Sequence, residues 1–229
     1  MSRDCCLWDE VTCDEMTGHV IELDLHCSQL VGKIDSNSIL FQLSHLQRLD
    51  LLRNNFSNSH ISPEFEDKLK FGPRDFKFLL QNLTQLTELD HTLINISSAI
   101  PLNFSSHLTI LTLKETGLYG IIPESIFHLP NLVTLELQFN DQLHGYFPKT
   151  KWNSSAFFRV LDLNEVNLSG NFLPESLVYI TSLHFLSLAY CNLRGPIPES
   201  LSNLTRLESL VLDGNTMNGT IPSGIFSFP

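Results

Sequence analysis

Apolar positions recur along this chain at a fixed spacing, and most recurrences lie 22 to 26 residues apart. Two clear copies, in segments 183–198 and 207–222, share the pattern LxxLxLxx(N/C)x(L/M)xGxIP and lie 24 residues apart. A period of this length is typical of a solenoid, in which each repeat forms one coil that stacks on its neighbours. The central LxL pair occurs eight times, at Leu23/Leu25, Leu49/Leu51, Leu89/His91, Leu111/Leu113, Leu135/Leu137, Leu161/Leu163, Leu186/Leu188 and Leu210/Leu212.

The pattern is the leucine-rich-repeat signature, in which each LxL pair points inward from a short strand. One coil cannot bury its own leucines, so the strands pair in parallel into a sheet whose concave face presents the residues flanking each leucine. Prolines recur at one phase of the repeat, where a missing amide donor is tolerated, and they predict irregular turns and short helical turns on the convex face. These prolines are Pro101, Pro123, Pro148, Pro174, Pro198 and Pro222.

The spacing divides the chain into an amino-terminal cap, residues 1–18, and a solenoid of about eight repeats, residues 19–229. The spacing is broken between Leu49 and Leu89, which are 40 residues apart. We interpret this break as an irregular insertion near residues 62–80 with one helical turn around Phe76 to Leu80. It could equally mark a lost repeat.

Three of the five cysteines cluster ahead of the first repeat, at Cys5, Cys6 and Cys13. A disulfide-held cap is a common way to cover the first coil of an extracellular solenoid, and Cys6 to Cys13 is the preferred bridge. Cys5 would then need a partner upstream of this sequence. A zinc site is the competing interpretation, but the cluster lacks a matching histidine pair. Cys191 replaces the asparagine of its repeat and is expected to be a buried structural thiol.

The acceptor pattern for N-glycosylation, Asn-x-Ser/Thr, indicates the secretory pathway, because chance predicts roughly three such sites in this composition. The alternative is that serine and threonine suit the turn that follows each asparagine, and turns also tolerate a glycan. The eight sites are Asn55, Asn82, Asn95, Asn103, Asn153, Asn167, Asn203 and Asn218.

Charge and motif content exclude several classes of function. The formal net charge of −11 disfavours binding to nucleic acid or to anionic lipid. No apolar run is long enough to span a membrane, and no secretory signal precedes the cap. HExxH, GxSxG and phosphate-binding glycine loops are absent, so the sequence predicts neither an enzyme nor a cofactor or metal site. A glycosidase would need two carboxylates in a walled cleft, which an open sheet does not offer.

One column of the predicted sheet carries five carboxylates. Since neighbouring strands lie ~4.8 Å apart, Asp24 with Asp50, and Glu136 with Asp162, would be close enough to attract a cation or a basic ligand. The alternative is a row of solvated, unpaired side chains. The residues between the paired leucines are Asp24, Asp50, Asp90, Thr112, Glu136, Asp162, Ser187 and Val211.

Aromatic residues flank the central leucines in the later repeats and predict a binding patch, because exposed aromatic side chains anchor protein interfaces. Phe139 could instead pack sideways on the solenoid. The predicted ligand-binding residues are Glu136, Phe139, Asp162, Glu165, His184, Phe185, Tyr190 and Asp213. A separate anomaly is His91, which replaces an inward leucine and needs a hydrogen-bond partner or weakens its coil.

Particular stretches resemble the extracellular part of plant leucine-rich-repeat receptors. These are DCCLWDEVTC at 4–13, GHVIELDL at 18–25 and the repeats that end in GxIP, a variant typical of the plant type. The stretches FQLS at 41–44, QNLTQL at 81–86 and KWNSS at 151–155 look most like receptor-like proteins of the Cf disease-resistance type. The resemblance covers essentially the whole chain.

The resemblance implies a non-enzymatic ectodomain on the extracellular face of the plasma membrane. It would bind a pathogen-derived protein or peptide and signal through a partner kinase. The chain departs from the pattern because it lacks a signal peptide, an upstream cap cysteine and a transmembrane segment, and it ends where another repeat should begin. We therefore expect a fragment of a receptor. Two alternatives are a secreted inhibitor resembling polygalacturonase-inhibiting proteins and an inactive truncated product.

Overall fold

The computed structural model describes residues 4–30, 33–34, 38–52, 54, 70–71, 74–148, 157–168 and 172–227. One short strand from each coil, together with a strand from the cap, builds a single long sheet across these residues. The first pair is antiparallel and each later pair is parallel. Its strands are β1 (Val11–Cys13), β2 (Val20–Asp24), β3 (Arg48–Asp50), β4 (Glu88–Asp90), β5 (Ile110–Thr112), β6 (Thr134–Glu136), β7 (Val160–Asp162), β8 (Phe185–Ser187) and β9 (Ser209–Val211).

The central leucines set the register of the sheet. Leu135 lies opposite Leu161, and Leu161 lies opposite Leu186, and all three side chains are fully buried. Because alternate residues of a strand point to opposite faces, the residues on either side of these leucines share the other face, which we call the concave face. The predicted leucine-rich-repeat solenoid is confirmed.

Asparagines just beyond the strands join neighbouring coils. The Nδ2 of Asn140 donates to the carbonyl oxygens of Leu113 and Leu137, both at 2.8 Å. Its Oδ1 accepts from two backbone N–H groups of the preceding coil. Asn54 and Asn215 make equivalent bonds. Each amide thereby satisfies buried backbone groups where the chain leaves the sheet.

Cys191 stands at the asparagine position of its coil and is fully buried. Its thiol donates to the carbonyl oxygen of Leu163 at 3.0 Å, as the asparagine side chain does in other coils. Burial raises the pKa of this thiol to about 12, so it stays protonated. The predicted buried structural thiol is confirmed.

On the convex side the chain forms short 3₁₀ helices, as the periodic prolines predict. Pro123, Pro174 and Pro198 directly precede them in extended conformation. Within the described residues, the 3₁₀ helices on this side are Ile39–Gln42, Glu124–His128, Glu175–Tyr179, Glu199–Asn203 and Ser223–Ser227. Between the concave and convex sides lie two-residue strands. Each pairs in parallel with the strand at the equivalent position of another coil. The sequence did not predict these short strands. They are Lys33–Ile34 with Lys70–Phe71, Gly120–Ile121 with Leu143–His144, and Arg194–Gly195 with Thr216–Met217.

The cap covers the first coil with strand β1, which pairs antiparallel with β2. A disulfide bond joins Cys6 to Cys13, the pairing preferred from the sequence, with the two Cα atoms 5.6 Å apart. The sulfur of Cys5 lies close to both, and Cys5 forms no disulfide bond within the described residues. Because the bridge uses two of the three thiols, the cluster cannot offer three thiolates to a zinc ion.

The irregular segment between the second and third coils lies partly outside the described residues. Its described portion contains the helix α1 (Asp75–Asn82). The helix is twice as long as the single turn expected from the sequence. Phe76, Leu79 and Leu80 lie on one side of it and are buried in the core. Their i, i+3, i+4 spacing explains why two full turns are stable here.

His91 occupies an inward leucine position and is completely buried. Its Nδ1 lies 2.8 Å from the carbonyl oxygen of Asp90, and its ring stacks on Phe71 with the centroids 5.5 Å apart. The Nε2 atom has no hydrogen-bond partner among the described residues. Burial lowers the pKa of His91 from its ordinary value of 6.5 to about 4, so the imidazole is neutral. The structure thus supplies one of the two partners that this histidine needs.

Candidate functional site

The centre of the concave face holds two carboxylates on neighbouring strands. Glu136 on β6 lies opposite Asp162 on β7. Asp162 is only 8% exposed, and Glu136 is half-buried. Burial raises the pKa of both carboxyls, and the charge of Asp162 raises the pKa of Glu136 further. The positive charge of Lys114 lowers both pKa values, but less than burial raises them.

Lys114 belongs to this site although the sequence analysis did not name it. Its Nζ lies 5.1 Å from the centre of the Phe139 ring, within the range of a cation–π interaction. Phe139 is 40% exposed, so its ring is not buried in the core. Lys114 comes two residues after Thr112, and this phase of the repeat is the signal that could have identified it.

The predicted residues Phe139, Glu165 and Tyr190 occupy the same position in three successive coils. All three have a positive φ, between 54° and 61°, which is uncommon for residues other than glycine. In the last coil the same position is Gly214, also with positive φ. This conformation turns the three side chains out at the edge of the concave face, where Glu165 and Tyr190 are exposed.

Two further predicted residues, His184 and Phe185, lie on the same coil as Tyr190. Asp213 lies on the following coil. Phe185 is half-buried, opposite Val160 on one side and Ser209 on the other. The Nδ1 of His184 is 2.7 Å from the carbonyl oxygen of Ser182, which fixes the ring. The exposed Asp213 accepts the backbone N–H of Tyr190 through its carbonyl oxygen. The structure thus places Glu136, Asp162 and Phe185 on the concave side of neighbouring strands, and a role in binding for any of the predicted residues stays a prediction.

Two polar side chains that the sequence analysis did not name complete the centre of the site. The Oδ1 of Asn164 accepts from the Ser187 hydroxyl at 2.6 Å and from the Ala189 N–H at 2.7 Å. Its own backbone N–H donates to Asp162 at 3.1 Å. Gln138 has the equivalent position one coil earlier and is 6% exposed. Gln138 and Asn164 each lie two residues after the carboxylate of their own strand, so their phase in the repeat could have identified them.

The other acidic pair lies in the first coils. Asp24 and Asp50 face each other across β2 and β3, and Asp50 faces Asp90. The nearby Arg48 does not neutralise this pair, because it forms an ion pair with Glu88 on the next strand at 3.4 Å. Arg53, the other arginine close in sequence, lies outside the described residues. Exposed ion pairs of this kind contribute little to stability.

The described glycosylation acceptors all lie away from the strands of the concave sheet. Asn82 and Asn95 are half-buried. Asn55 and Asn153 lie outside the described residues. The exposed acceptors are Asn103, Asn167, Asn203 and Asn218. Glycans at these sites would therefore leave the concave face open.

Comparison with known proteins places this arrangement in a family. The Leucine Rich Repeat family model matches residues 182–204. Receptor-like protein 9DC1 of Solanum pimpinellifolium is 47% identical over 232 residues, which cover 85% of this chain and 27% of that protein. Receptor-like protein Cf-9 of the same species is 47% identical over 219 residues, which cover 80% of this chain and 25% of that protein. The chain belongs to the leucine-rich-repeat region of Cf-9-type plant receptor-like proteins. This family is not a family of enzymes.

The solved structures agree with this assignment. The Arabidopsis receptor kinase HAESA, in complex with the peptide hormone IDA and the co-receptor SERK1, is 28% identical with a TM-score of 0.75. That match covers 98% of this chain and 35% of HAESA. The chain spans about a quarter of the length of the Cf-9-type relatives. Among its described residues, no helix combines the length and apolar character that crossing a bilayer requires.

Proposed function

We propose that this chain is a recognition region of a plant immune receptor-like protein at the extracellular face of the plasma membrane. It binds a pathogen-derived protein or peptide on its concave face. The receptor then signals through a partner kinase.

The observation that carries the proposal is the composition of the concave face in the later coils. Tyr190 is 61% exposed, and Phe139 and Phe185 are partly exposed beside the carboxylates of Glu136 and Asp162. Aromatic side chains surrounded by polar groups are typical of interface hot spots. The family supports the receptor assignment, and the HAESA complex supports a peptide ligand and a co-receptor as the kinds of partner to test.

The test uses the secreted ectodomain of the receptor that contains this sequence, immobilised for interferometry. The probe is extracellular fluid washed from pathogen-challenged leaves, with fluid from unchallenged leaves as the control. We expect binding from challenged leaves alone, and we expect Phe185→Ala and Tyr190→Ala to weaken it at least about fivefold. The matched control is Tyr179→Ala, since Tyr179 is 53% exposed on a convex 3₁₀ helix. Equal binding by all variants would show that the concave face is not the recognition surface.

The partner kinase is tested separately, by precipitating the receptor from leaf membranes with and without challenged fluid. We expect a kinase to co-precipitate, and more of it to do so after challenge. The absence of any kinase from both samples would contradict this part of the proposal.

The secreted-inhibitor alternative is distinguished by an enzyme assay. A protein resembling polygalacturonase-inhibiting proteins would reduce the activity of a purified fungal polygalacturonase at near-stoichiometric ratios. The proposed receptor would leave that activity unchanged. The third possibility, an inactive product, predicts a broad, weakly cooperative thermal transition in place of a sharp one.

A further inference from the structure

We infer that Glu136, Asp162 and Gln138 form a subsite that receives a basic side chain, arginine or lysine, of the bound protein or peptide. This inference rests on the proposed function and names the ligand chemistry at its centre. Arginine is the better fit, because its planar guanidinium can bond several oxygens at once.

The first support is that the two carboxylates lack a basic partner. Neither Glu136 nor Asp162 has an ion-pair partner among the described residues, where the ion pairs are Arg48–Glu88 and His128–Glu124. The hydrogen bonds of the two carboxylates come from neutral groups, the Thr112 hydroxyl and the Asn164 N–H. A buried or half-buried carboxylate is costly unless it is paired, so a positive charge delivered from outside would be stabilised.

The second support is an independent polar atom without a partner. The Oε1 of Gln138 is buried and accepts no hydrogen bond from the described residues. The backbone ladder continues through this residue, so Gln138 and Glu136, two residues apart, point to the same face. At the equivalent position one coil later, the side chain of Asn164 accepts a hydrogen bond from Ser187, which lies between the paired leucines of the following coil. The residue at that position in the coil after Gln138 is Asp162, so the register places the buried Gln138 amide next to the carboxylate pair.

The third support is the apolar surface around the pair. Val160 precedes Asp162 by two residues on the same face and lies opposite Phe185. Both side chains are half-buried. Phe139, with Lys114 above its ring, lies on the other side. Such walls suit the aliphatic stem of an arginine or lysine, whose charged end would reach the oxygens.

Lys114 provides an opposing charge that makes the inference testable in two directions. It is close enough to influence the carboxylates, yet it is held over Phe139 rather than bonded to them. A basic ligand would be repelled by Lys114 and attracted by Glu136 and Asp162. Removing the lysine charge should therefore strengthen binding, whereas removing a carboxylate charge should weaken it.

The experiment titrates the 229-residue chain with two peptides by nuclear magnetic resonance. One is acetyl-Gly-Arg-Phe-Gly-amide, and the other carries citrulline, a neutral isostere, in place of arginine. We expect the arginine peptide to bind about tenfold more tightly, equivalent to about 1.4 kcal/mol. Equal affinity of the two peptides, or no binding of either, would overturn the inference.

Variants assign any preference to the subsite. Glu136→Gln and Asp162→Asn should each remove most of the preference for arginine, while keeping the hydrogen bonds from Thr112 and Asn164. Lys114→Gln should raise the affinity for the arginine peptide about threefold. The matched control is Glu199→Gln, which removes an exposed acid on the convex 3₁₀ helix Glu199–Asn203, away from the site, and should leave the preference intact. A loss as large in this control would mean that only the overall charge matters.

The outcomes separate this inference from the proposed function. Binding of challenged-leaf fluid without any preference for arginine would leave the receptor proposal intact and remove the basic subsite. A preference for arginine at Glu136 and Asp162, without binding from challenged leaves, would keep the subsite and remove the immune ligand.

Discussion

The ring of Tyr190 lies over Gly214, in the space that a side chain on the next coil would fill. A Cβ atom added at Gly214 would lie 2.3 Å from Cδ1 of the tyrosine ring, closer than any real contact. Gly214 has a φ of 68° and occupies the same position in its coil as Tyr190 in the preceding one. The glycine thus both adopts the left-handed turn and gives the aromatic ring a surface on which to lie.

Gly214→Ala should therefore affect stability and binding together. The strained φ should cost about 1–2 kcal/mol, and the new methyl group should displace Tyr190 from the concave face. The matched control is Gly18→Ala, because Gly18 has the same φ of 68° and its added Cβ would meet nothing within 4 Å. Denaturant unfolding should show similar losses for both variants, whereas binding of challenged-leaf fluid should weaken in Gly214→Ala alone. Unchanged binding in Gly214→Ala would mean that the position of Tyr190 is unimportant.

Asn140→Ala should strongly destabilise the middle of the solenoid. The substitution removes amide bonds to Leu113 and Leu137 and leaves the buried N–H groups of Thr116 and Leu118 without their acceptor. We expect a loss of about 3 kcal/mol or more in the free energy of unfolding. Asn131→Ala is the comparison, because the side chain of this exposed asparagine makes one hydrogen bond among the described residues, to the carbonyl oxygen of Ser106, and its loss should cost under about 1 kcal/mol. Similar losses in the two variants would contradict a bridging role for Asn140.

His91 should make the stability of the chain depend on pH. Its pKa is lowered in the folded state, from 6.5 to about 4, because burial opposes the charge and Nε2 has no acceptor. The unfolded chain therefore binds the proton first as the pH falls, so stability is complete above pH 6.5 and is lost between about pH 6.5 and 4. One pKa unit is equivalent to about 1.4 kcal/mol, which gives a loss of roughly 3 kcal/mol.

The measurement compares denaturant unfolding of the wild type and His91→Leu at pH 7.5 and pH 4.5. Leucine restores the apolar repeat position and removes the titrating group, so the variant should lose clearly less stability on acidification. An identical pH dependence in both proteins would show that other groups are responsible.

The sequence predicted the parts of this molecule that follow from repeat phase. The leucine spacing identified the strands, and the strands then placed Glu136 opposite Asp162 and put Phe185 on the same face. The asparagine position likewise predicted the buried thiol of Cys191. These predictions succeeded because one periodic constraint, burial of the central leucines, sets the register of the whole sheet.

Other features depend on contacts between coils, for which the repeat contains no rule. The left-handed conformation of Phe139, Glu165 and Tyr190 is an exception, because the same repeat position also has a positive φ at Cys27, Leu93 and Glu115, although no glycine marks it in these coils. The position of the Lys114 ammonium over Phe139 depends on which rotamer the lysine adopts. The length of α1 was underestimated because its segment interrupts the repeat, so periodicity gave no phase from which to count.

The central claim is that the concave face is the recognition surface, and a glycan placed on that face tests it most directly. Phe185→Asn creates the acceptor pattern with Leu186 and Ser187 in the middle of the face, whereas Phe185→Gln removes the ring without adding a glycan. Both proteins are expressed in leaves, and mass spectrometry confirms glycan occupancy before binding of challenged-leaf fluid is measured. We predict that Phe185→Gln binds more weakly than the wild type. We predict that the glycosylated Phe185→Asn protein does not bind at all. After enzymatic deglycosylation, binding by Phe185→Asn should return to the level of Phe185→Gln. Full binding by the glycosylated protein would contradict the account, because a ligand on the concave face could not avoid that glycan.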